Sequence, residues 1–470
     1  MKIITTKYSS DAVKVKLLGL TIFKIKERGN FFKIYIFGIQ IFIFQKPSYL
    51  NYLNKLKKKI SESNNLVYIN QESNSKSKIL HYGTWDCQCG IAVFLKDYIC
   101  GLTDIGYTNN AIMPVINEYN LNIKIAKAYI DKIIDQAKDF DIISIQHEYS
   151  FWGSQDYKGW EDLLKDSFSC KNIKLKDYAC TLPLLDYFVS NLIKQNKKIS
   201  IVWHTDFNMV LNDFFKTNKI SNYKEIPFFR FIDNPLLNIT IMNDKFLKSL
   251  SKYNIPTNNI CLLELPVKKA NLIANKSKDE ILRLLDFERD SIILGSFGFI
   301  NKHKGIEESI ESLRYLPQNY KYIHMGGVHP YDTSGYINII NEKIKKYNLE
   351  SRVKITGFLS DQELINYFSV LDLGLYIGNI TNEFASAAIN QLIVNKIPII
   401  ASSIANFNIL EKHWHCIKLL QPNAKYIDIA TEIINLIENE TKKNNLKENC
   451  NRFCEENTFA KFAMKSIGIK

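Results

Sequence analysis

The chain has 470 residues, of which 46% are hydrophobic, and a formal net charge of +13 at pH 7. This length exceeds what one hydrophobic core usually organises, so the sequence predicts two domains with additional segments. No run approaches the roughly 18–20 consecutive apolar residues that cross a bilayer. The opening MKIITTKYSSDAVKVK also lacks the apolar stretch and cleavage site of a signal peptide, so we expect a cytoplasmic protein.

The positive charge is concentrated at the N-terminal end. Residues 1–78 contain 15 Lys or Arg and 4 Asp or Glu, whereas the rest of the chain contains 46 and 44. A nucleic-acid-binding domain usually carries a basic patch or stripe. The nearly neutral bulk of this chain therefore argues against nucleic acid as a partner.

The nine cysteines are scattered along the sequence. An odd number without a secretion signal favours reduced thiols in a cytosol over a disulfide framework. Cys87 and Cys89 are separated by one residue and Cys450 and Cys454 by three, and neither spacing is typical of zinc ligands. No metal site is predicted from the cysteines.

Residues 1–77 are predicted to form a basic appendage with an internal repeat. The segments KVKLLGLTIFKIK (14–26) and KIYIFGIQIFIFQ (33–45) align at an offset of 19. Both are rich in β-branched and aromatic residues, and ERGN lies between them, so they predict a β-hairpin. YLNYLNKLKKKI (49–60) predicts a short basic helix, and the polar stretch 61–78 resembles a linker.

From residue 78 onward, apolar strands alternate with helices. Such alternation predicts parallel sheets covered on both faces, and it occurs on both sides of a charged crossover at 268–288. The predicted fold class is therefore α/β, with two doubly wound Rossmann-like domains, at 78–270 and 271–440, that face each other across a cleft. The predicted strands are 78–85, 140–148, 198–205, 238–242, 259–267, 291–297, 321–327, 352–358, 371–378, 397–402 and 416–420.

The loops after these strands are the candidate sites, because open parallel sheets bind ligands at the carboxyl ends of their strands. Gly90 begins a helix after a strand and lets a ligand approach the backbone. Lys304 ends the cationic loop GFINKHKG and can offer a point charge to an anion. Residues 384–386 begin a predicted helix whose free N–H groups suit a phosphate. The chain contains neither GxxxxGK[ST] nor GxGxxG, so P-loop and dinucleotide sites lose support.

Each signal also has a purely structural explanation. A Lys-Gly pair can be a solvated turn, His204 can be a core histidine, and His147 with Glu148 can be a buried hydrogen-bonded pair. Glu383 can be an acid that the helix dipole favours. A ligand site is favoured because all of these residues fall where a parallel sheet presents its ligands.

Six stretches together resemble one enzyme family: CGIAVFL, DIISIQHEY, VWHT, GSFGFINKHKGIEESI, VKITGFLSDQELINYFSVLDLGLY and NEFASAAINQLIVNKIPIIAS. Through them, residues 78–468 resemble a GT-B glycosyltransferase of the retaining family 4 type (glycosyl transferases group 1). The final segment, 441–470, resembles the helix that crosses back to the first domain in that fold. The resemblance implies a nucleotide-sugar donor on the second domain and an acceptor on the first.

On the donor side, the resemblance implies that Lys304 binds the donor diphosphate. The family usually has an arginine six residues earlier, where this chain has Gly298. Either Lys302 or His303 compensates, or the diphosphate is bound less tightly.

The resemblance also assigns the residues that follow a later strand. Glu383 matches the glutamate that contacts the donor sugar, and Gln391 replaces the glutamate that usually binds the ribose. An amide still accepts a hydrogen bond but carries no charge. Phe384 and Ala385 are expected to present backbone N–H groups to the phosphates.

In the first domain, His204 matches the histidine near the reacting sugar carbon, and Gly90 matches the glycine near the diphosphate. With no Asp-x-Asp motif in evidence, we expect no metal and no cofactor. The resemblance then implies that Lys304 and helix N–H groups stabilise the leaving diphosphate. The insertion 153–197 lies on the acceptor side and is predicted to shape acceptor specificity.

The implied function is transfer of a sugar to a glycan or lipid-linked acceptor in bacterial cell-surface polysaccharide or lipooligosaccharide assembly. Residues 1–60 either dock on the anionic inner face of the membrane or cover a sheet edge or mediate self-association. Two other classes stay open. The GT-B fold also serves epimerases and phosphorylases, and Gly298 and Gln391 can mark a weakened sugar-binding scaffold.

Overall fold

The structure, a computed structural model, describes the chain except for residues 1–3, 10–11, 18–19, 29–30, 37–38, 46, 63–64, 73, 88, 153–176, 218–219, 269–271, 329–333, 379–386, 404, 422 and 469–470. Side chains are described from residue 54 onward, apart from those gaps and residues 120–121, 177–178, 209, 217, 303, 387 and 405–406. The described residues form three β-sheets.

The first sheet is antiparallel, with five strands in chain order. The segment is rich in β-hairpins, as predicted, but each half of the repeat is a hairpin by itself rather than a single strand. In each half the two strands pair across a two-residue connection that contains a glycine in the sequence. The strands are β1 (Ile4–Ser9), β2 (Ala12–Leu17), β3 (Leu20–Arg28), β4 (Phe31–Ile36) and β5 (Ile39–Gln45).

Helix α1 (Pro47–Glu62) lies where the sequence predicts a helix over 49–60. Its Leu56 and Ile60 side chains are buried in the core of the first parallel-sheet domain. The prediction of a linker at 61–78 is wrong, because strand β6 (Val67–Gln71) pairs antiparallel with a strand of that domain. Only three apolar residues mark this edge strand, and the polar residues around them obscure it.

The second sheet has seven strands in the order β12-β11-β10-β9-β7-β8-β6 and is parallel except for β6. Its strand β8 was not predicted, because its Asn-Asn start and terminal proline suggest a turn. The remaining strands are β7 (Lys78–Gly83), β8 (Asn109–Pro114), β9 (Ile142–His147), β10 (Lys198–Trp203), β11 (Leu237–Ile241) and β12 (Ile260–Leu262). The α-helices are α2 (Gly90–Asp104), α3 (Ile123–Gln136), α4 (Leu182–Lys194), α5 (Asn208–Asn212) and α6 (Asp244–Lys252).

The third sheet has six strands, all parallel, in the order β15-β14-β13-β16-β17-β18. Every strand predicted in this part of the sequence overlaps an observed one. The strands are β13 (Ile292–Phe297), β14 (Tyr320–Met325), β15 (Val353–Ile355), β16 (Leu373–Tyr376), β17 (Ile399–Ala401) and β18 (Lys418–Leu419). The α-helices are α7 (Lys278–Leu285), α8 (Ile306–Ser312), α9 (Tyr336–Lys346), α10 (Asp361–Phe368), α11 (Ala387–Val394), α12 (Ala405–Lys412) and α13 (Tyr426–Ile437).

Apolar side chains cover the parallel sheets on both faces, which confirms the prediction of two Rossmann-like domains. Two buried clusters pack on the first domain's sheet and two on the second's. Among the described residues, no helix combines the length and apolar character needed to cross a membrane.

The C-terminal segment consists of two helices, α14 (Glu440–Glu456) and α15 (Phe459–Ser466). The first packs on the second domain, where Phe453 is buried. The second packs on α2 of the first domain, and the Ser200 hydroxyl donates to the Ser466 carbonyl at 2.7 Å. The segment therefore returns to the first domain, as the resemblance implied, through two helices instead of one.

The contact between α2 and α15 leaves no room for a side chain at Gly101. A Cβ atom there would lie 2.5 Å from the carbonyl carbon of Phe459. We expect Gly101→Ala to lower the free energy of unfolding by about 3 kcal/mol, the upper end for overpacking, because the obstacle is backbone. Urea unfolding measures this change.

Gly90→Ala in the same helix is the matched control, since a Cβ atom at Gly90 would have no heavy atom within 4 Å. Its stability should equal or slightly exceed that of the wild type. Equal stability of the two variants would contradict the close packing of α15 on α2.

Candidate functional site

A cavity of about 540 Å³ lies at the carboxyl end of the first domain's sheet. Its opposite wall is formed by helix α11 of the second domain and by the linker between the domains. This is the edge at which parallel sheets bind ligands. The lining residues include Cys89, Gly90, Phe94, Glu148, His204, Thr205, Leu265, Pro266, Asn390, Gln391 and Phe459.

His204 follows β10 and is half-buried at the edge of this cavity. Its backbone N–H donates to the carbonyl of His147 at 3.0 Å, which continues the pairing of β9 with β10. Its Nε2 atom lies 2.9 Å from Oε1 of Gln146, and its ring meets the Phe94 ring edge-to-face at 5.0 Å. Burial lowers the pKa of His204 to about 3, so the imidazole is neutral at physiological pH.

His147 and Glu148 do not form the hydrogen-bonded pair that was one alternative. The His147 ring is fully buried and stacks on the Trp203 ring with 3.5 Å between centroids. Neither of its ring nitrogens has a hydrogen-bond partner in the described part of the chain. Glu148 instead lines the cavity, and its carboxylate accepts a hydrogen bond from the backbone N–H of Ser150 at 2.8 Å.

Gly90 and Gln391 line the cavity from opposite domains. Gly90 is the first residue of α2, and the open space around its Cα leaves the backbone accessible. Gln391 is exposed on α11. The preceding residue, Asn390, is buried and donates from Nδ2 to the carbonyl of Leu265 at 3.0 Å, which fixes α11 against the linker.

Lys304 is half-buried in a short 3₁₀ turn after β13. Its Nζ donates to the hydroxyl of Tyr376, at the end of β16, at 2.6 Å. The next residue, Gly305, has φ of +69°, and a Cβ atom there would lie 2.0 Å from the carbonyl oxygen of Ile377. The Lys-Gly pair is therefore not a free solvated turn, because it packs against the end of a neighbouring strand.

Gly298 lies directly beside this lysine. Its φ is +119°, and a Cβ atom there would lie 3.8 Å from both Cε of Lys304 and Cβ of Ala388 in the first turn of α11. The loop after β13 and the start of α11 therefore meet at one place, as the strand order predicts.

The structure brings some of the predicted site residues together and leaves others apart. The cavity is lined by Gly90, His204 and Gln391. Gly298 and Lys304 lie beside α11, but they do not line the cavity. The Lys302 side chain is exposed. The predictions for Glu383, Phe384 and Ala385 fall on 379–386, outside the described residues.

Two partners of these residues were not predicted, Tyr376 of Lys304 and Gln146 of His204, and neither was Asn390, which fixes α11 beside Gln391. Each lies at or near the end of a strand or on α11, and its sequence position alone does not reveal which group it bonds to. Tyr376 ends the apolar run LDLGLY, where a hydroxyl at the strand terminus is the one available signal.

The premise that the sequence has no Asp-x-Asp motif is wrong, because Asp139-Phe-Asp141 is one. The motif lies before β9, at the amino end of the sheet. The Asp141 carboxylate accepts from the backbone N–H of Lys78, the first residue of β7, at 2.8 Å. This motif therefore joins two strands at the edge opposite the cavity.

The free energy of unfolding should fall as the pH drops below about 6.5, the ordinary pKa of histidine. His204 has a pKa of about 3 when folded, so between these values only the unfolded chain binds the proton. We expect His204 to account for a loss of about 1–2 kcal/mol between pH 7 and pH 5. Urea unfolding at both pH values measures it, and His204→Gln should show a smaller loss. Equal losses in the two proteins would contradict a neutral His204.

Residues 277–453 match the sequence profile of the family described as glycosyl transferases group 1. The matched segment contains Gly298, Lys302, Lys304, Glu383 and Gln391, and excludes the first domain. A comparison with curated protein sequences finds no match.

Three solved structures illustrate what the fold is similar to. Anabaena HepE in complex with UDP is 14% identical with a TM-score of 0.57, and the match covers 83% of this chain and 98% of that one. A glycosyltransferase from Rickettsia africae is 13% identical with a TM-score of 0.59, covering 83% and 96%. Sucrose-phosphate synthase from Thermosynechococcus elongatus is 12% identical with a TM-score of 0.56, covering 83% and 97%. The chain has the GT-B fold, and its second domain contains a glycosyl transferases group 1 domain.

Proposed function

We propose that the protein is a retaining glycosyltransferase that uses a nucleotide-sugar donor and no metal. The acceptor is a glycan or lipid-linked saccharide, in the assembly of a bacterial cell-surface polysaccharide or lipooligosaccharide. The observation that carries the proposal is the position of Lys304 within the segment that matches glycosyl transferases group 1. Its ammonium group is oriented by Tyr376 beside the first turn of α11.

The donor chemistry requires stabilisation of a diphosphate that gains negative charge as the sugar leaves. A fixed cation in a partly buried site is more effective there than in water, because little solvent has to reorganise. Lys304 supplies such a charge. Anabaena HepE has been solved with UDP and with UDP-glucose, so uridine diphosphate sugars are the first donors to test.

The first domain suits the positive charge that develops on the sugar. The sugar gains positive charge as its bond to phosphate breaks, as in glycoside hydrolysis. A protonated histidine nearby would oppose that charge, whereas the neutral His204 does not. Glu148 follows the neighbouring strand and also lines the cavity, and its carboxylate can accept a hydrogen bond from an acceptor hydroxyl.

The proposed function is tested by incubating the purified chain with a panel of nucleotide sugars and saccharide acceptors, with and without EDTA. Release of the nucleoside diphosphate reports turnover, and proton NMR of the product reports the anomeric configuration. We expect transfer with retained configuration that EDTA does not abolish. Inversion, epimerisation without transfer, phosphorolysis, or loss of activity in EDTA would each contradict part of the proposal.

Lys304→Ala should remove about 2–4 kcal/mol of transition-state stabilisation, as expected for one charge-stabilising group at a developing anion. Steady-state kinetics with the active donor measures the loss in kcat/KM. Lys302→Ala should cost less, since that side chain is exposed. The exposed Lys345 on α9 is the matched control, and Lys345→Ala should leave kinetics unchanged. Wild-type kinetics for Lys304→Ala would remove the role assigned to Lys304.

Docking of the N-terminal segment on an anionic membrane is part of the proposal. Leu56 and Ile60 anchor α1 to the first domain, while the Lys55, Lys57 and Lys58 side chains are exposed. This basic face can approach a negatively charged surface, where each lysine contributes on the order of 1 kcal/mol and salt screens the attraction.

Replacing those three lysines by glutamine should weaken binding to vesicles with anionic lipids by roughly 3 kcal/mol at low salt. Co-sedimentation with anionic and neutral vesicles measures the change. The same replacement at Lys345, Lys346 and Lys442, all exposed, removes equal charge elsewhere. Equal weakening by both sets would indicate attraction by net charge and contradict docking through α1.

A further inference from the structure

A row of buried polar side chains lies beneath the loop that carries Lys304. The register of the two strands places Ser296 of β13 directly opposite His324 of β14. Tyr322 lies two residues before His324 on β14. The Ser296 hydroxyl lies 2.5 Å from the Tyr322 hydroxyl and 2.8 Å from Nδ1 of His324. On the other side of the ring, Nε2 of His324 lies 3.0 Å from the carbonyl oxygen of Gly298.

The chemistry of the partners fixes the direction of every hydrogen bond in this row. A carbonyl oxygen can only accept, so Nε2 of His324 carries the proton and donates to Gly298. Nδ1 is then an acceptor, so the Ser296 hydroxyl donates to it. The Ser296 oxygen in turn accepts from Tyr322. Burial lowers the pKa of His324 to about 4 and raises that of Tyr322 to about 12, so both stay neutral at physiological pH.

The row ends on Gly298, whose backbone is held on both sides of its Cα. The Gly298 N–H donates to the Met325 carbonyl at 3.0 Å. On another side, Gly326 approaches so closely that a Cβ atom there would lie 2.0 Å from the Gly298 oxygen. Gly298 is thus fixed at its N–H by β14 and at its carbonyl by the His324 ring, and a Cβ atom on it would lie 3.8 Å from Cε of Lys304.

We infer that His324 is a positioning residue, which fixes the Gly298 carbonyl and through it the approach of Lys304 to the donor diphosphate. The inference rests on the proposed function. A core histidine with a purely structural role would bond within the sheet. The Nε2 atom of His324 instead bonds to the loop, at the glycine that lies beside the Lys304 side chain.

The test compares His324→Leu, which removes both ring nitrogens, with His324→Gln, which retains a side-chain donor for the Gly298 carbonyl. We expect the leucine variant to lose at least tenfold in kcat/KM for the donor, with the acceptor KM unchanged. The glutamine variant should stay within threefold of wild type. Ser296→Ala, a smaller change that removes the donor to Nδ1, should lose three- to tenfold.

A double variant separates positioning from general destabilisation. If His324 acts through Lys304, adding His324→Leu to Lys304→Ala should change kcat/KM by less than twofold. His81 is the matched control, because it is also fully buried and hydrogen-bonded by its ring, to Asn110 in the first domain. His81→Leu should leave the donor kcat/KM within twofold of wild type. Multiplicative losses in the double variant, or a glutamine variant no better than leucine, would overturn the inference.

Hydrogen exchange tests the positioning without any donor, so it distinguishes failure of the inference from failure of the proposed function. The Gly298 amide donates to the carbonyl of Met325, the last residue of β14, and the Ile300 amide donates to that of Gly327, two residues later. They should exchange at least tenfold faster in His324→Leu than in wild type or His324→Gln, whereas the amide of Leu294 within β13 should not. Unchanged exchange at Gly298 and Ile300 would overturn the inference even if sugar transfer is observed.

Discussion

The carbonyl oxygen of Leu265 holds the linker between the domains, because it accepts hydrogen bonds from the second domain and from the C-terminal segment. Asn390 donates to it from α11 at 3.0 Å, and Asn457 donates from the turn between the last two helices at 2.8 Å. The chain enters the second domain through this linker and returns at Asn457, whose carbonyl accepts from the Val267 N–H at 2.9 Å. These three hydrogen bonds join neutral groups, and an ion pair in the same linker, Lys268 with Asp97 of α2 at 2.7 Å, adds a charged contact to the first domain.

The two domains that meet at this junction differ in the charge of the predicted site residue that each one carries. His204 on the first domain is neutral because burial lowers its pKa, and Lys304 on the second is a cation fixed by a tyrosine hydroxyl. In the proposed reaction, positive charge develops on the sugar while negative charge develops on the diphosphate. A neutral group beside the first and a cation beside the second match that separation, without a proton transfer from either residue.

The strand pattern could be predicted because buried parallel strands are continuous apolar runs, and each predicted strand overlaps an observed one. Strands that depart from that pattern were missed: β6 lies at an edge, and β8 begins with Asn109 and Asn110. Asn110 is buried because its side chain pairs with His81, a contact that depends on neighbouring strands rather than on local sequence.

The loops that form the candidate site could be predicted from the sequence, but the contacts between them could not. Loops after strands could be named, since topology brings them to one edge. The contacts that orient them, such as Tyr376 with Lys304, join residues 72 apart in sequence. Such a contact depends on the order of strands within the sheet, which alternation alone does not specify. Gly101 illustrates the same limit, because only the docked α15 shows why that position has no side chain.

Gly298 stands where the resemblance places an arginine in related enzymes. Its backbone conformation explains why glycine suits this position. A residue with a Cβ atom is strained at a φ of +119°, which glycine adopts readily. Space is not the obstacle, since a Cβ atom there would meet its nearest neighbours at 3.8 Å. The backbone of this loop is therefore suited to glycine, and an arginine would require a different course of the chain between β13 and Lys304. In the proposed donor site, one cation fewer beside the diphosphate makes the position of Lys304 more important. We infer that this position depends on the Gly298 carbonyl, to which His324 donates.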